Sequence, residues 1–281
     1  MKRGIRTWAA AFAVYWVAGW LLEKLLLRGA PRVNGALPGS LLASALVVAV
    51  AVGIATRVEK RGIRRALLLF GLLSVPQGNN FVELLIFPLD LQAQLASRLL
   101  LKVALQAAVV AAALDAWADP GPVEPSCWPA RRGIAGWWAR VLASDLAYIV
   151  VYVSAGMVVW PFVRPFYEQR AMPAMPTILG MQVLRGLVFV GLLAWLAREL
   201  RSSRRVAMLL GGLALSVFAA AELVVPNPFL PDFARWAHLG EVGTSNFLSG
   251  AFVTWLLTEK KPRARAVASA ISPLPEPSLP S

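Results

Sequence analysis

The sequence predicts an all-α integral membrane protein whose eight transmembrane helices form two parallel four-helix repeats. Three observations lead to this prediction. Of the 281 residues, 58% are hydrophobic and only 15% are charged, whereas a soluble domain has about 25% charged residues. The hydrophobic residues collect in long runs, and the basic residues collect in short clusters between those runs. In addition, several features of the first half of the chain recur in the second.

Eight apolar runs are long enough to cross about 30 Å of hydrocarbon, which takes roughly 20 helical residues. Continuous runs indicate helices, because the strands of a membrane barrel alternate between apolar and polar residues. The first run follows a basic start and lacks a clear cleavage site, so we interpret it as an uncleaved span. The predicted spans are Thr7–Leu27, Pro38–Thr56, Ala66–Phe87, Leu99–Trp117, Val141–Phe162, Met175–Leu196, Val206–Val225 and Trp236–Leu257.

The positions of the basic clusters predict the orientation of the chain. Most of the 28 Lys and Arg residues fall in the N-terminus, the 57–65 loop, the 118–140 segment, the 198–205 loop and the C-terminal tail. Loops rich in Lys and Arg stay on the cytoplasmic side of a membrane. We therefore expect an inner (plasma) membrane protein with both termini in the cytoplasm, which agrees with an even number of spans.

Similar segments in the two halves predict an internal duplication. The N-terminal segment RGIRTWAAAFAVYWVAGW resembles RGIAGWWARVLASDLAYIVVYVSAGM, which follows the middle of the chain. Tyr15 and Gly19 of the first segment correspond to Tyr152 and Gly156 of the second. A unit of four spans returns to the side on which it began, so the two copies would lie parallel, related by an axis along the membrane normal.

Charged residues extend this correspondence. Glu83 is matched by Glu222, and Arg98 occupies the place that Glu241 takes in the second half. The predicted divisions are a first repeat at 1–117, a Pro-rich and basic cytoplasmic linker at 118–140, a second repeat at 141–258 and a disordered tail at 259–281, which has no core-forming pattern.

A polar turn interrupts the third predicted span. Asn79, Asn80 and Glu83 follow Pro76 there and share one face of a helix. Ionisable residues within a membrane are costly and mark binding or proton sites. The same groups could instead join neighbouring helices or cap a helix that Pro76 breaks. The sequence leaves both interpretations open.

The eighth predicted span carries the single histidine of the chain. His238 and Glu241 are three residues apart and share a helix face, and Glu222 precedes them across a loop. Imidazole and carboxylate groups can bind a divalent ion. With one histidine, however, we favour a hydrogen-bonded imidazole over a metal ligand and predict no metal site. Gly243 and Gly250 on the adjoining strip predict close contact with another helix.

Two basic residues fall within the predicted spans. Arg98 lies near the start of the fourth span and Arg185 lies in the sixth. A charge inside a membrane protein needs a partner or water. We therefore expect Glu83, Glu222 or Glu241 to pair with these two arginines. Together with Asn79, Asn80 and His238, these five residues form the predicted substrate-binding site.

Several classes of function are disfavoured by the sequence. The basic residues are explained by membrane topology, so the net charge of +13 does not indicate nucleic-acid binding. Cys127 is the single cysteine, which excludes an internal disulfide. We interpret it as an inert thiol, with lipid attachment as a less favoured alternative. Phosphate-binding loops, nucleophile elbows and CxxC motifs are missing, and we predict no cofactor. Trp160 and Tyr167 are interpreted as interfacial anchors.

Three functions fit these observations. The first is a small permease or a transporter of lipid or small solutes, with a polar site between the two repeats. The second is a non-catalytic membrane subunit or scaffold, whose basic cytoplasmic face would bind a protein partner or anionic membrane lipids. The third is an intramembrane enzyme that uses the Glu and His side chains, although these scattered groups match no known motif.

Overall fold

The structure is a computed structural model that describes residues 2–28, 36–86, 93–121, 124–129, 133–170 and 172–259. These residues form eight α-helices and a short 3₁₀ helix, with no β-strand and a single isolated bridge between Val58 and Leu200. The all-helical fold predicted from the sequence is confirmed. The elements are α1 (Lys2–Leu26), α2 (Ala36–Ala55), α3 (Ile63–Ile86), α4 (Ala93–Trp117), α5 (Ile134–Tyr167), α6 (Met175–Glu199), α7 (Arg204–Ala220), the 3₁₀ helix (Ala221–Val224) and α8 (Asp232–Leu257).

Six of the described helices are long and apolar enough to cross a membrane: α1, α2, α4, α5, α6, and α7 with the 3₁₀ helix. Such helices are what an α-helical membrane protein requires. Helices α3 and α8 have 24 and 26 residues, respectively, and would measure roughly 36 to 39 Å at 1.5 Å per residue. They are less apolar because the polar residues singled out above lie in them. The predicted spans Ala66–Phe87 and Trp236–Leu257 therefore do not stand out by composition.

One sequence-based boundary falls differently in the structure. Helix α5 begins at Ile134, inside the segment 118–140 that we predicted to be a linker, and runs to Tyr167. The basic, Trp-bearing part of that segment is thus helical. Of the predicted tail, only Glu259 belongs to the described residues.

Polar contacts gather at one end of the bundle, which we call the basic end. Arg65, at the start of α3, is buried, and its Nε atom donates to Oδ1 of Asp115 on α4 at 2.7 Å. The loops before α3 and α7 also meet there, since the Arg201 amide donates to the Arg57 carbonyl at 2.8 Å. The opposite end, where α3, α5 and α7 finish and α4, α6 and α8 begin, is called the distal end.

Helices α7 and α8 pack antiparallel at very short range. Gly211 and Gly250 touch backbone to backbone, so that a side chain at either position would collide with the other helix. One turn and more away, the Ser216 hydroxyl donates to the Gly243 carbonyl at 2.7 Å. Small residues allow such close approach of helices. The prediction that Gly243 and Gly250 mark a helix contact is confirmed.

Backbone packing divides the helices into two groups of four. In the first group, α1 packs against α2 and α4, and α3 packs against α4. In the second group, α5 packs against α6 and α8, and α7 packs against α8. The groups meet where α3 contacts α6 and α7 and where α2 contacts α7. The candidate site lies at the distal side of this junction.

Candidate functional site

A cavity of about 680 Å³ lies in the distal half of the bundle, among α3 to α8. Its wall is mostly apolar, and polar side chains from both groups of helices line it. Arg98 is not among the lining residues. The other seven residues of the predicted site all line the cavity: Asn79, Asn80, Glu83, Arg185, Glu222, His238 and Glu241.

An ion pair between α3 and α6 forms one wall of the cavity. Nη2 of Arg185 donates to Oε2 of Glu83 at 2.6 Å, and the Tyr152 hydroxyl donates to Oε1 of Glu83 at 3.4 Å. The Asn79 side-chain oxygen, in the amide orientation that satisfies both ends, accepts from Nη2 of Arg185 at 2.8 Å. Arg185 is buried, so its charge needs this compensation. The expected pairing of Arg185 with one of three carboxylates is confirmed.

Tyr167, His238 and Glu241 form a hydrogen-bonded chain on the other side. Nδ1 of His238 lies 2.8 Å from Oε2 of Glu241, and Nε2 lies 2.9 Å from the Tyr167 hydroxyl. An ionised carboxylate can only accept, so Glu241 favours the tautomer with its proton on Nδ1. Nε2 of the neutral ring then accepts from Tyr167. Such a chain fixes the orientation of the imidazole and allows proton transfer along it.

Asn80 and Glu222 lie where α7 ends. Nδ2 of Asn80 donates to the Ala219 carbonyl at 2.7 Å, which satisfies one of the carbonyls that the end of a helix leaves without a partner. Glu222 follows on the 3₁₀ helix and is half-buried. Among the described residues, no hydrogen bond or ion pair joins its carboxylate. Lys102 of α4 also lines the cavity and likewise has no described carboxylate within ion-pair distance.

The cavity has two chemically different sides. Helix α4, which carries Lys102, packs against α1, α2 and α3 and makes no backbone contact with α5 or α8 in the described part of the chain. On the opposite side, five residues form what we call the α5/α8 wall. Its rings include the stacked pair Trp160 and Tyr167, with centroids 6.3 Å apart. The residues of the α5/α8 wall are Tyr152, Trp160, Tyr167, His238 and Glu241.

Sequence reasoning missed several lining residues. Trp160 and Tyr167 were interpreted as interfacial anchors, but both line the cavity and Tyr167 binds His238. Tyr148 and Tyr152 also line it. The spacing of 148, 152 and 156, a Tyr–Tyr–Gly stripe on one helix face, was a signal that could have indicated an inward-facing surface.

Arg98 lies apart from the other predicted site residues. It is exposed on α4, and no ion pair joins it to a carboxylate in the described part of the chain. On α4, Leu99, Lys102 and Val103 face the cavity. A helix turns by about 100° per residue, so Arg98 falls beside this face. The expected pairing of Arg98 with Glu83, Glu222 or Glu241 is not found among the described residues.

The described residues contain no group of three or more His, Cys, Asp or Glu side chains arranged to hold a metal ion. Comparisons with protein-family models, with curated proteins and with solved structures found no match for this chain. Fold and composition therefore define its class. It is an all-helical protein with long apolar helices of the kind that cross membranes and with a largely apolar, charge-bearing cavity.

Proposed function

We propose that the chain crosses the plasma (inner) membrane eight times with both termini in the cytoplasm. Six helices qualify as spans by composition. Helix α8 runs antiparallel beside α7 from Arg204, which donates to the Trp255 carbonyl at 2.6 Å, to Ser216, which donates to Gly243. A helix that accompanies a span over this length crosses the same layer. Helix α3 accompanies α4 in the same way. The basic end would face the cytoplasm.

We further propose that residues 1–117 and 141–258 are parallel repeats. The packing order within α1–α4 recurs within α5–α8. Between the groups, α2 contacts α7 and α3 contacts α6. A twofold axis beside α3 and α7 would relate α2 to α6 and α3 to α7, and would therefore make these two contacts equivalent. The bridge between Val58 and Leu200 joins the two loops that would be equivalent.

The function that these features support best is a permease or transporter for a small amphiphilic solute or lipid. The cavity at the junction of the two groups carries this proposal. Its volume of about 680 Å³ falls within the range of roughly 300 to 1,000 Å³ that small-molecule sites occupy. Apolar walls with a few charged groups suit a molecule with an apolar body and a polar end. A site at the seam of two repeats also suits alternating access from the two sides.

Native mass spectrometry of the protein in mild detergent, with metal analysis of the same sample, tests the proposal. We expect one molecule of a lipid or solute to remain bound per chain. Gly156→Leu should abolish its retention, because Gly156 lines the cavity and has the Glu241 carboxylate in contact range. Gly180→Leu is the matched control, since a Cβ atom added at Gly180 would have no neighbouring atom within 4 Å.

Transport itself is tested with the molecule that the mass identifies. We expect wild-type protein in liposomes to take it up and the Gly156→Leu variant to fail, while Gly180→Leu behaves as wild type. Retention that survives in Gly156→Leu would contradict the cavity as the binding site. A protein that co-purifies at fixed stoichiometry, with no small molecule retained, would favour the membrane-subunit alternative.

A second candidate function is intramembrane acid–base catalysis. The observation that favours it is the chain of Glu241, His238 and Tyr167, in which a carboxylate orients an imidazole toward a hydroxyl group. Chemical conversion of the retained molecule by purified wild-type protein, abolished by Tyr167→Phe, would support this candidate. Unchanged release of the same molecule would support transport.

A further inference from the structure

The charges that line the cavity do not balance on the α5/α8 wall. Glu83 is neutralised by Arg185 at 2.6 Å. Glu241, by contrast, has only His238 within ion-pair distance among the described residues, and an imidazole carries a charge only when it is protonated. Both side chains are largely buried, with 19% of His238 and 11% of Glu241 exposed. Glu241 therefore differs from Glu83, because no Lys or Arg lies within ion-pair distance of it in the described part of the chain.

Lys102 and Glu222 also line the cavity, and neither has an ion-pair partner among the described residues. The described lining thus holds two cations, Lys102 and Arg185, and three carboxylates, Glu83, Glu222 and Glu241. One carboxylate is therefore in excess, which favours a ligand that brings a positive charge.

Aromatic residues of α5 flank the contact with the carboxylate of the α5/α8 wall, because Gly156, which has its Oε1 atom at 3.6 Å, lies one helical turn from both Tyr152 and Trp160. Tyr152, Trp160 and Tyr167 line the same wall. The guanidinium carbon of Arg185 lies 6.0 Å from the centre of the Tyr152 ring, so this ring already faces one cation. Aromatic faces attract organic cations, and the attraction increases when water is excluded. A carboxylate flanked by such rings is suited to a positively charged group that carries apolar substituents.

An anionic ligand fits the cavity poorly. Arg185 already donates to Glu83 and Asn79, and the Glu83 carboxylate beside it would repel an approaching anion. Lys102 stands on the far side from the aromatic wall. A negative group beside Glu241 would be repelled in a surrounding of low dielectric. The arrangement selects against anions at the α5/α8 wall.

We propose that the α5/α8 wall is the binding site for an amphiphilic organic cation, whose charged group contacts Glu241 and the rings of Tyr152, Trp160 and Tyr167. This inference rests on the proposed function, because it names the substrate class of the same cavity. The apolar remainder of the ligand occupies the space toward α3 and α4.

Two probes of similar size test the charge requirement: the methyltriphenylphosphonium cation and neutral triphenylphosphine oxide. Equilibrium dialysis against wild-type protein in mild detergent should show the cation binding at least about tenfold more tightly than the neutral probe. Equal affinity for the two would overturn the cation site while leaving the cavity as a solute site. Failure of the cation to bind would also overturn the cation site. The proposed function is tested separately, by native mass spectrometry of the molecule that the protein retains.

Two substitutions locate the charge requirement. Glu241→Gln should weaken binding of the cation at least about tenfold and leave the neutral probe unaffected. Glu168→Gln is the matched control, since Glu168 is exposed at the distal end outside the cavity. Equal weakening in both variants, or none in Glu241→Gln, would contradict the proposal. If Glu241→Gln does not fold, the comparison of the two probes on wild-type protein still decides the question.

Discussion

The ion pair between Glu83 and Arg185 gives a quantitative test of how this bundle holds its charges. In the pair, 7% of the Arg185 side chain and 25% of the Glu83 side chain are exposed. Glu83→Gln leaves the guanidinium buried without a counter-charge, which costs about 3 kcal/mol of unfolding free energy, at the lower end for broken buried pairs. Arg185→Gln leaves a carboxylate that reaches the cavity and its water, so the cost is about 2 kcal/mol.

The double variant Glu83→Gln/Arg185→Gln removes both charges together. Its cost should be about 2 kcal/mol rather than the sum of the single effects, which gives a coupling energy of about 3 kcal/mol. Unfolding by sodium dodecyl sulfate in mixed micelles, followed by tryptophan fluorescence, measures all four proteins. The 11 tryptophan residues of the chain provide the signal.

A matched control is the exposed pair Arg164 and Glu168, whose side chains are 60% and 53% exposed. The same double-mutant cycle there should give a coupling energy of about 0.5 kcal/mol or less, because water and salt screen exposed charges. A coupling energy between Glu83 and Arg185 as small as in this control would refute the reasoning. It would mean that the pair is hydrated, or that it is not formed in the membrane protein.

Two further predictions concern packing and topology. Gly212→Ala should lower the unfolding free energy by about 1 to 3 kcal/mol, because the added carbon would lie 2.9 Å from the Phe247 carbonyl. The control Gly240→Ala should be neutral or slightly stabilising, because its added carbon meets no neighbouring atom. An equal loss of unfolding free energy in both variants would contradict the packing of α7 against α8. In a Cys127→Ser background, cysteines placed at 60 and at 168 should react with a membrane-impermeant maleimide from opposite sides of the membrane; labelling of both from one side would contradict the eight-span topology.

Most of the helices and their order follow from the sequence because six of the apolar runs are long, whereas α3 and α8 carry polar residues within them. The pairing of Arg185 could also be anticipated, since a charge within an apolar helix needs a partner and three carboxylates were candidates. Which of the three it contacts depends on how α3 and α6 pack together. That contact joins residues far apart in the chain, and no local pattern encodes it.

Tyr167 illustrates why the site was harder to predict than the fold. An aromatic residue at the end of an apolar run is typical of an interfacial anchor. The side chain instead turns inward, where its hydroxyl meets His238 at 2.9 Å. For Arg98 the error was the opposite one: the sequence placed it in the site, but it does not line the cavity. The proposed duplication made it equivalent to Glu241, but equivalent positions in two repeats need not face the same surroundings once one copy has diverged.

The glycines at 19 and 156, which the proposed duplication makes equivalent, show how the two groups of helices differ. Beside Gly19, the Gln106 side chain fills the space between α1 and α4, and its amide nitrogen would lie 2.7 Å from a carbon added to the glycine. Beside Gly156, the nearest atom is Oε1 of Glu241 at 3.6 Å, an ordinary contact distance. In the first half, the neutral amide of Gln106 thus fills the groove beside the glycine. In the second half, the equivalent groove stays open and the Glu241 carboxylate lies next to it.

This difference makes a paired prediction. Gly19→Ala should lower the unfolding free energy by about 1 to 2 kcal/mol, because the buried Gln106 amide must move and its hydrogen bond to the Tyr15 carbonyl weakens. Gly156→Ala should change it by no more than about 0.5 kcal/mol, since the added methyl group finds room and alanine favours a helix. The same detergent unfolding assay compares them. Equal costs at the two positions would show that both grooves are filled, and the cavity would then not distinguish the second half from the first.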